Sequence, residues 1–492
     1  MESTDELDDL DTSSELHINP YSMTEEELLK KSKQRNISKL IVQSYVVLTA
    51  CISAISFGTS LGWPMSQSNV PKESCPEQTW AWSLIPLGCS VGLSFSFYMV
   101  KTLGPKKTML IDTPFYMLSY IGVAKGTVLC NFFIGICSIV YFTNAENLLV
   151  NAVHRTNLKY ALIIFRTSRM VGFLIAYLVR NAYGNFLLAM TCLAIPLANA
   201  LLLLFLPESP RFLYDKSENQ CRESIQWYQG PENVYTTLLL IRADYEESKN
   251  TFTYMFLSKS IMKAILVIVI LNFFRVCSGY HVHIIYRLPY YEKSVIVFSI
   301  FADNLIFAIN LIVSNFFGNC FHIFFNFRIR RSLLISSTLT SIALMMQAFH
   351  MLFLHRKYRN ALFLKNSYVQ VILENMLVVA YEVGYSICAD LLVYDYVPRQ
   401  LHRVAKLVIY SLHWLCVCVV TKYFIILYAC ELHYIPYFVL GIASLIGTMY
   451  CYYCIIEPKG KNLAQLQMEL GGNPVGSRGN RKHILFYLNS NV

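Results

Sequence analysis

Charge is what this chain has least of. Asp, Glu, Lys and Arg make up 15% of its 492 residues, where a soluble globular domain carries about 25%. With 55% hydrophobic residues and a mean hydropathy of +0.43, that scarcity excludes an ordinary soluble fold. Glycine is sparse as well, at 21 residues against 33 Tyr and 31 Phe. Membrane helices usually approach one another through small residues, so aromatic rings have to fill many crossings here. Residues 1–39 are polar and acid-rich with no apolar h-region, and no cleavable signal peptide is expected. Phosphate loops, zinc-spaced cysteine pairs and a Ser–His–acid order are all missing. The expectation is therefore no enzyme, no cofactor and no metal. Fifteen cysteines are present. Most of them, such as Cys51, Cys89, Cys192 and Cys388, sit inside apolar runs, where Cys is a small apolar filler.

Long apolar runs are what the chain has instead. They fall at about 40–63, 79–100, 108–124, 127–149, 158–179, 185–206, 262–286, 295–319, 332–354, 367–394, 404–428 and 433–456. A run near 20 residues crosses a bilayer as a helix. The fold class is therefore all-α: a polytopic membrane protein with 12 transmembrane helices, numbered spans 1–12 in chain order. A polar stretch divides them six and six. The expected organisation is a disordered acidic N-terminus over 1–38 and a first half over 39–206. A linker with short helices at Glu218–Trp227 and Pro231–Glu247 follows over 207–261, then a second half over 262–458 and a tail over 459–492. A short surface helix at Glu25–Lys33 is expected ahead of span 1.

The net charge of +10 is informative by its placement. Lys30, Lys31, Lys33, Arg35 and Lys39 precede span 1, and Lys101, Lys106 and Lys107 sit between spans 2 and 3. Arg328, Arg330 and Arg331 sit between spans 8 and 9, Arg399 and Arg403 between spans 10 and 11, and Lys459 and Lys461 after span 12. The positive-inside rule puts these loops and both termini in the cytosol. Basic residues dispersed over short loops do not make a nucleic-acid surface; the partner they imply is the lipid bilayer.

Four boxes carry a resemblance. Pro207-Glu208-Ser209-Pro210-Arg211 follows span 6 directly, and a helix ending Trp227-Tyr228-Gln229-Gly230 comes after it. Span 1 ends Gly62-Trp63-Pro64. Span 11 holds His413-Trp414 and, further on, Thr421-Lys422. Span 12 is followed by Glu457-Pro458-Lys459-Gly460-Lys461. In this order the boxes resemble the sugar porters of the major facilitator superfamily, and most closely the insect facilitated trehalose transporter branch, over roughly residues 40–470. The resemblance implies two facing six-helix halves and a midplane substrate cavity worked by alternating access. It further implies facilitated diffusion of a small-molecule substrate, a hexose or trehalose, at the plasma membrane.

Against that pattern, several functional positions are altered. The resemblance implies gating roles for Glu146 with Arg155, for Arg211, for Arg330 and Arg331, and for Asp395 with His402. The acid of the loop between spans 2 and 3 is gone, since Lys101-Thr102-Leu103-Gly104-Pro105-Lys106 stands in its place. Sugar porters hold sugar hydroxyls with amides, which donate and accept. The aligned amide positions here are Arg166 in span 5, Arg275 and His281 in span 7 and His413 before Trp414 in span 11, and in span 10 Asp390 stands where the family has an aromatic Trp. An isolated charge in hydrocarbon costs at least about 2.5–3.5 kcal/mol, so these groups should pair or face water. Three readings stay open. The site holds a sugar in a changed pose; Arg166 and Arg275 clamp a small organic anion in one open cavity; or an internal pair such as Arg275–Asp390 marks a non-transporting receptor or scaffold. Asp112, Asp303, Glu374 and Glu382 are further acids within apolar runs, and an embedded acid can relay protons. Glu374 is expected to snorkel at a membrane surface.

Overall fold

The computed structural model describes residues 25–66, 76–243, 245, 259–285, 300–325, 327–355, 367–429 and 433–471. The acidic segment before Glu25 and the tail beyond Gly471 lie outside the described residues. Helix dominates, and among the described residues there is no strand. Among the described residues, eleven helices are long and apolar enough to cross a membrane: Lys39–Trp63, Trp80–Leu103, Cys130–Ala152, Asn157–Arg180, Phe186–Leu204, Lys259–Cys277, Phe301–Phe325, Ile329–Leu354, Tyr368–Tyr396, His402–Leu427 and Ile435–Cys454. Span 3, Pro105–Ala124, is the twelfth bundle helix. Lys106, Lys107, Asp112, Tyr116 and Tyr120 lower its hydropathy, but its two buried tyrosine hydroxyls are satisfied inside the protein. Ser60 of span 1 hydrogen-bonds both the Tyr116 hydroxyl and, at 2.8 Å, the Tyr120 hydroxyl, and Tyr116 donates to the Ser56 carbonyl at 3.0 Å.

Two boundaries and one side-chain placement differ from the sequence expectation. Helix already begins at Glu25 and runs without interruption to Ser66, so the short helix expected at Glu25–Lys33 belongs to span 1. Span 8 reaches Phe325 instead of stopping near residue 319. Asn319, just before the added turns, and His322, within them, are both buried polar groups with partners: Asn319 bonds Asn315, and His322 donates to the Val383 carbonyl at 2.7 Å. Glu374 does not snorkel. It is buried and accepts from Gln370 at 2.9 Å.

Two spans are discontinuous. Span 7 is helical over Lys259–Cys277, breaks at Ser278-Gly279 and resumes at Tyr280–Ile285. Gly279 has φ +78, a left-handed conformation that costs glycine little. Span 10 breaks at Gly384, between Ser367–Val383 and Tyr385–Tyr396. Broken helices are tolerated at membrane depth where they border a cavity inside protein. Close helix approach is kept where it matters most. Span 1 crosses span 5 at Gly58, where a Cβ would lie 1.9 Å from the Arg169 carbonyl oxygen.

The two halves end alike. Glu208, just past span 6, caps the start of span 3: its carboxylate accepts the backbone N–H groups of Lys106 at 3.0 Å and Lys107 at 3.2 Å. Glu457, just past span 12, does the same for span 9, at Ile329 (3.2 Å) and Arg330 (3.1 Å). A carboxylate at a helix N-terminus meets otherwise unsatisfied donors and the positive end of the dipole. The adjoining cations reach the other way. Lys106 donates to the Leu204 carbonyl at 3.2 Å and to that of Leu206, and Arg330 donates to that of Tyr452. The linker is seated under the first of these caps, with Ser224 donating to the Glu208 carbonyl and Tyr228 to the Pro207 carbonyl, both at 2.7 Å. Glu208→Ala and Glu457→Ala should each lower stability by about 1–2 kcal/mol, read as a drop in the unfolding temperature of the purified protein. An unchanged melt for both would rule out the caps as stabilising elements.

Candidate functional site

A small cavity lies between the halves, lined by Gly58, Leu61, Arg169, Met170 and Phe173 from spans 1 and 5. The second half contributes Tyr280, His281, Ile284 and Ile285 from span 7, Tyr381 from span 10 and Trp414 from span 11. Its volume is about 30 Å³. On that scale one water needs roughly 10–15 Å³, so the closed cavity holds about two waters and no hexose. One wall is apolar (Leu61, Met170, Phe173, Ile284, Ile285). The opposite wall is aromatic and polar. Tyr280 stacks on Tyr381 with centroids 3.7 Å apart and planes 7° off parallel. The His281 ring meets those of His413 at 5.0 Å and Trp414 at 6.0 Å, edge to face. Three buried nitrogens around this wall have no hydrogen-bond partner: Arg169 Nε, His281 Nδ1 and His413 Nδ1.

Beside the cavity, Arg275 is fully engaged. Its Nη1 forms a salt bridge with Asp390 Oδ1 at 3.0 Å and also reaches Asn272 Oδ1 at 3.4 Å. Nε donates to the Tyr381 hydroxyl at 2.8 Å and Nη2 to the Ser386 carbonyl at 2.9 Å. The Ser386 carbonyl belongs to the helix that starts after the Gly384 break. Asp390 receives a second hydrogen bond from the Tyr410 hydroxyl at 3.0 Å. Arg166 donates to Asn319 Oδ1 at 3.5 Å, across the halves, and lies within Coulomb reach of Asp390 and Glu146.

The aligned residues therefore separate. His281 and Trp414 line the cavity, and His413 packs against both. Arg166, Arg275 and Asp390 form an ionic group next to it and are not part of its lining. Arg169, Tyr280 and Tyr381 line it without having been singled out as binders. Arg169 had one signal, its i, i+3 position on the same face of span 5 as Arg166. The two tyrosines had none, being two among 33.

The gating positions are placed differently from the acid–base pairs that the resemblance implies. Among the described residues, Glu146, Arg330, Arg331 and Asp395 make no ion pair within 4 Å. Arg330 serves the span 12 terminus instead, and Asp395 has Glu457 as its electrostatic neighbour. Glu146 faces Lys406 of span 11. Arg211 faces His402 and Arg403, with Asp215 nearby, so basic groups meet basic groups where the first-half linker approaches span 11. The side chain of Arg155 lies outside the described residues. No cluster of three or more metal-ligating side chains exists among the described residues.

A family model described as "Sugar (and other) transporter" matches residues 40–470. The chain belongs to that family. Its members are membrane transporters, not enzymes. The facilitated trehalose transporter of Bombyx mori is 22% identical over 92% of this chain and 89% of its own. A facilitated trehalose transporter homolog of Drosophila simulans is 22% identical over 83% and 85%. Among solved structures, the inward-open xylose transporter XylE from E. coli covers 87% of this chain and 99% of its own at a TM-score of 0.70 and 16% identity. The proton:xylose symporter XylE bound to 6-bromo-6-deoxy-D-glucose covers 88% and 100%, with a TM-score of 0.68 and 15% identity. These structures share the twelve-helix major facilitator fold with this transporter.

Breaking one partner of a buried ion pair costs about 3–5 kcal/mol, whereas replacing both with apolar groups is often neutral. Arg275→Met alone should therefore destabilise the purified transporter strongly. The double variant Arg275→Met with Asp390→Leu should recover most of the loss in unfolding temperature. Additive losses would mean that the two charges are not partners.

Proposed function

We propose that this transporter carries a neutral carbohydrate, a hexose or trehalose, across the plasma membrane by facilitated diffusion, with both termini in the cytosol. The observation that carries the reading is the mutual neutralisation of Arg275 and Asp390 at 3.0 Å. With Arg275 bound to Asp390, Asn272, Tyr381 and Ser386, no pair of free guanidinium groups is left to clamp a carboxylate. What faces the cavity suits a polyol. A neutral imidazole, like an amide, has one donor and one acceptor nitrogen, so His281 at the cavity, with His413 packed behind it, keeps the two-way hydrogen bonding of the residues they replace. Trp414, Tyr280 and Tyr381 offer ring faces and edges to the C–H side of a sugar. The names of the curated relatives support trehalose, and the family description supports sugars more broadly. The basic loops on the side of the termini support the orientation.

The present cavity is smaller than any hexose, so entry requires the halves to part, as alternating access demands. Arg166 to Asn319 and Thr167 to Asn315 (3.4 Å) are contacts that such a movement would break. The organic-anion reading is less well supported, because Arg166 and Arg275 do not face one open cavity.

Uptake of labelled trehalose, glucose and a panel of small anions into cells expressing the full chain tests this. The expected result is saturable uptake of a neutral sugar, no anion uptake, and a loss of at least about tenfold in Arg275→Gln, which leaves Asp390 without its cation. Sugar uptake seen only in Arg275→Gln or Asp390→Trp would show that the natural chain does not transport sugar.

A further inference from the structure

One cation at the cavity is left without a counter-charge. Arg169 of span 5 lines the cavity, and its backbone is fixed where span 1 crosses at Gly58. Its guanidinium makes no hydrogen bond and no ion pair among the described residues, and its Nε is buried. Arginine does not lose its proton in proteins, so the charge stays. The Phe142 ring lies 5.8 Å from the guanidinium carbon. A ring face attracts a cation without neutralising it.

The acids of this region are engaged elsewhere. Asp390 holds Arg275 at 3.0 Å and accepts from Tyr410. Glu382 accepts the Tyr280 hydroxyl at 2.6 Å and Asn315 Nδ2 at 3.0 Å. Glu146 lies toward Lys406 and Arg166. Around the cavity and its ionic neighbours, Arg166, Arg169, Arg275 and Lys406 thus face only Glu146, Asp390 and Glu382, and one positive charge is left over. Hydrogen-bond capacity leans the same way. The Tyr381 hydroxyl accepts from Arg275 Nε at 2.8 Å, so its own proton points elsewhere, and among the described residues no acceptor meets it. Tyr381 lines the cavity beside His281, whose Nδ1 has no partner either.

A charge at membrane depth has to be matched inside the protein, and charge-assisted donors gathered without an acceptor are the chemistry of an anion site. We propose that one monatomic anion, chloride, occupies the cavity as the fixed counter-charge of Arg169, held by the guanidinium and the Tyr381 hydroxyl. Size sets the class. A cavity of about 30 Å³, with room for about two waters, takes a halide and excludes a sugar acid or a phosphate ester. The inference rests on this cavity being the sugar site and adds what that site lacks. The ion returns an acceptor to a wall of donors, and a sugar hydroxyl donates to it. A neutral sugar cannot neutralise Arg169, so the ion stays when the halves close around the sugar; it is a co-ligand and not cargo. Linkage is reciprocal: chloride tightens sugar binding by the same factor as sugar tightens chloride binding.

The test uses the purified full chain in detergent at constant ionic strength, with chloride replaced stepwise by gluconate, which is too large for the cavity. The unfolding temperature and the affinity for glucose and trehalose are read in each salt. In the wild type the unfolding temperature should rise with chloride, and bromide should substitute for it. Sugar should bind about five- to tenfold more tightly in chloride than in gluconate. Arg169→Gln removes the charge and should fold without either response to chloride. Arg169→Lys keeps the charge and should keep the melting response. A wild-type melt indifferent to chloride, or the same rise in Arg169→Gln, overturns the anion site and leaves the sugar reading standing. Equal sugar affinity in both salts overturns the role of the ion as co-ligand. A chloride-dependent melt with no sugar bound in any salt upholds the anion site and overturns the sugar reading.

Discussion

A charge inside a bilayer must be matched inside the protein, and the pair Arg275–Asp390 meets that demand at the centre of this molecule. The cost of leaving either charge alone explains why Arg275 is surrounded so completely. One guanidinium holds together three pieces of chain that a broken helix would otherwise leave apart. It ties the first segment of span 7 to the first segment of span 10 through Tyr381, and to the second segment through Ser386 and Asp390. Span 10 can therefore break at Gly384 without losing its register. The Tyr280–Tyr381 stack and the Glu382 contact follow from that register, because Tyr381 and Glu382 are consecutive residues at the end of the first segment.

The ends of the bundle obey the same electrostatics in a wetter setting. The loops that should carry gating acids and arginines are eroded in sequence, yet the chain keeps a carboxylate after span 6 and another after span 12, each on the N-terminus of the third helix of its own half. What erosion changed is the approach between the halves, where Arg211 meets His402 and Arg403 while Glu146 meets Lys406. What it spared is capping within each half. Each half is thus secured by its own cap, while the approach between them on the linker side mixes like and opposite charges. Hydrogen bonds that cross between the halves include neutral ones, such as Ser90 to the Ser411 carbonyl at 2.8 Å. That division suits a machine whose halves move as bodies.

Much of the fold was legible in the sequence because bilayer thickness imposes a length on apolar runs, and little else needs to be known. Span 3 was nearly lost to that rule, since Tyr116 and Tyr120 are satisfied by partners from span 1 that hydropathy cannot see. Span 8 runs past its expected end, with Asn319 and His322 likewise satisfied inside the protein. The candidate site was legible in its register: Arg275, His281, Asp390, His413 and Trp414 all fall around the centre. Which of them face the cavity was not legible, because that depends on how the broken spans 7 and 10 rotate about Gly279 and Gly384. Arg169 in place of Arg166, and Tyr280 with Tyr381, became visible only once those rotations were fixed.

The central claim is that two rigid halves rock about a cavity walled by span 7, span 10 and their counterparts. The most direct measurement is the distance between spin labels at Lys107→Cys and Arg331→Cys, the exposed helix starts just beyond the two caps, in a background without other reactive cysteines. The account predicts two distance populations whose balance shifts when trehalose or glucose is added. A single narrow distribution, unmoved by any sugar, would contradict it.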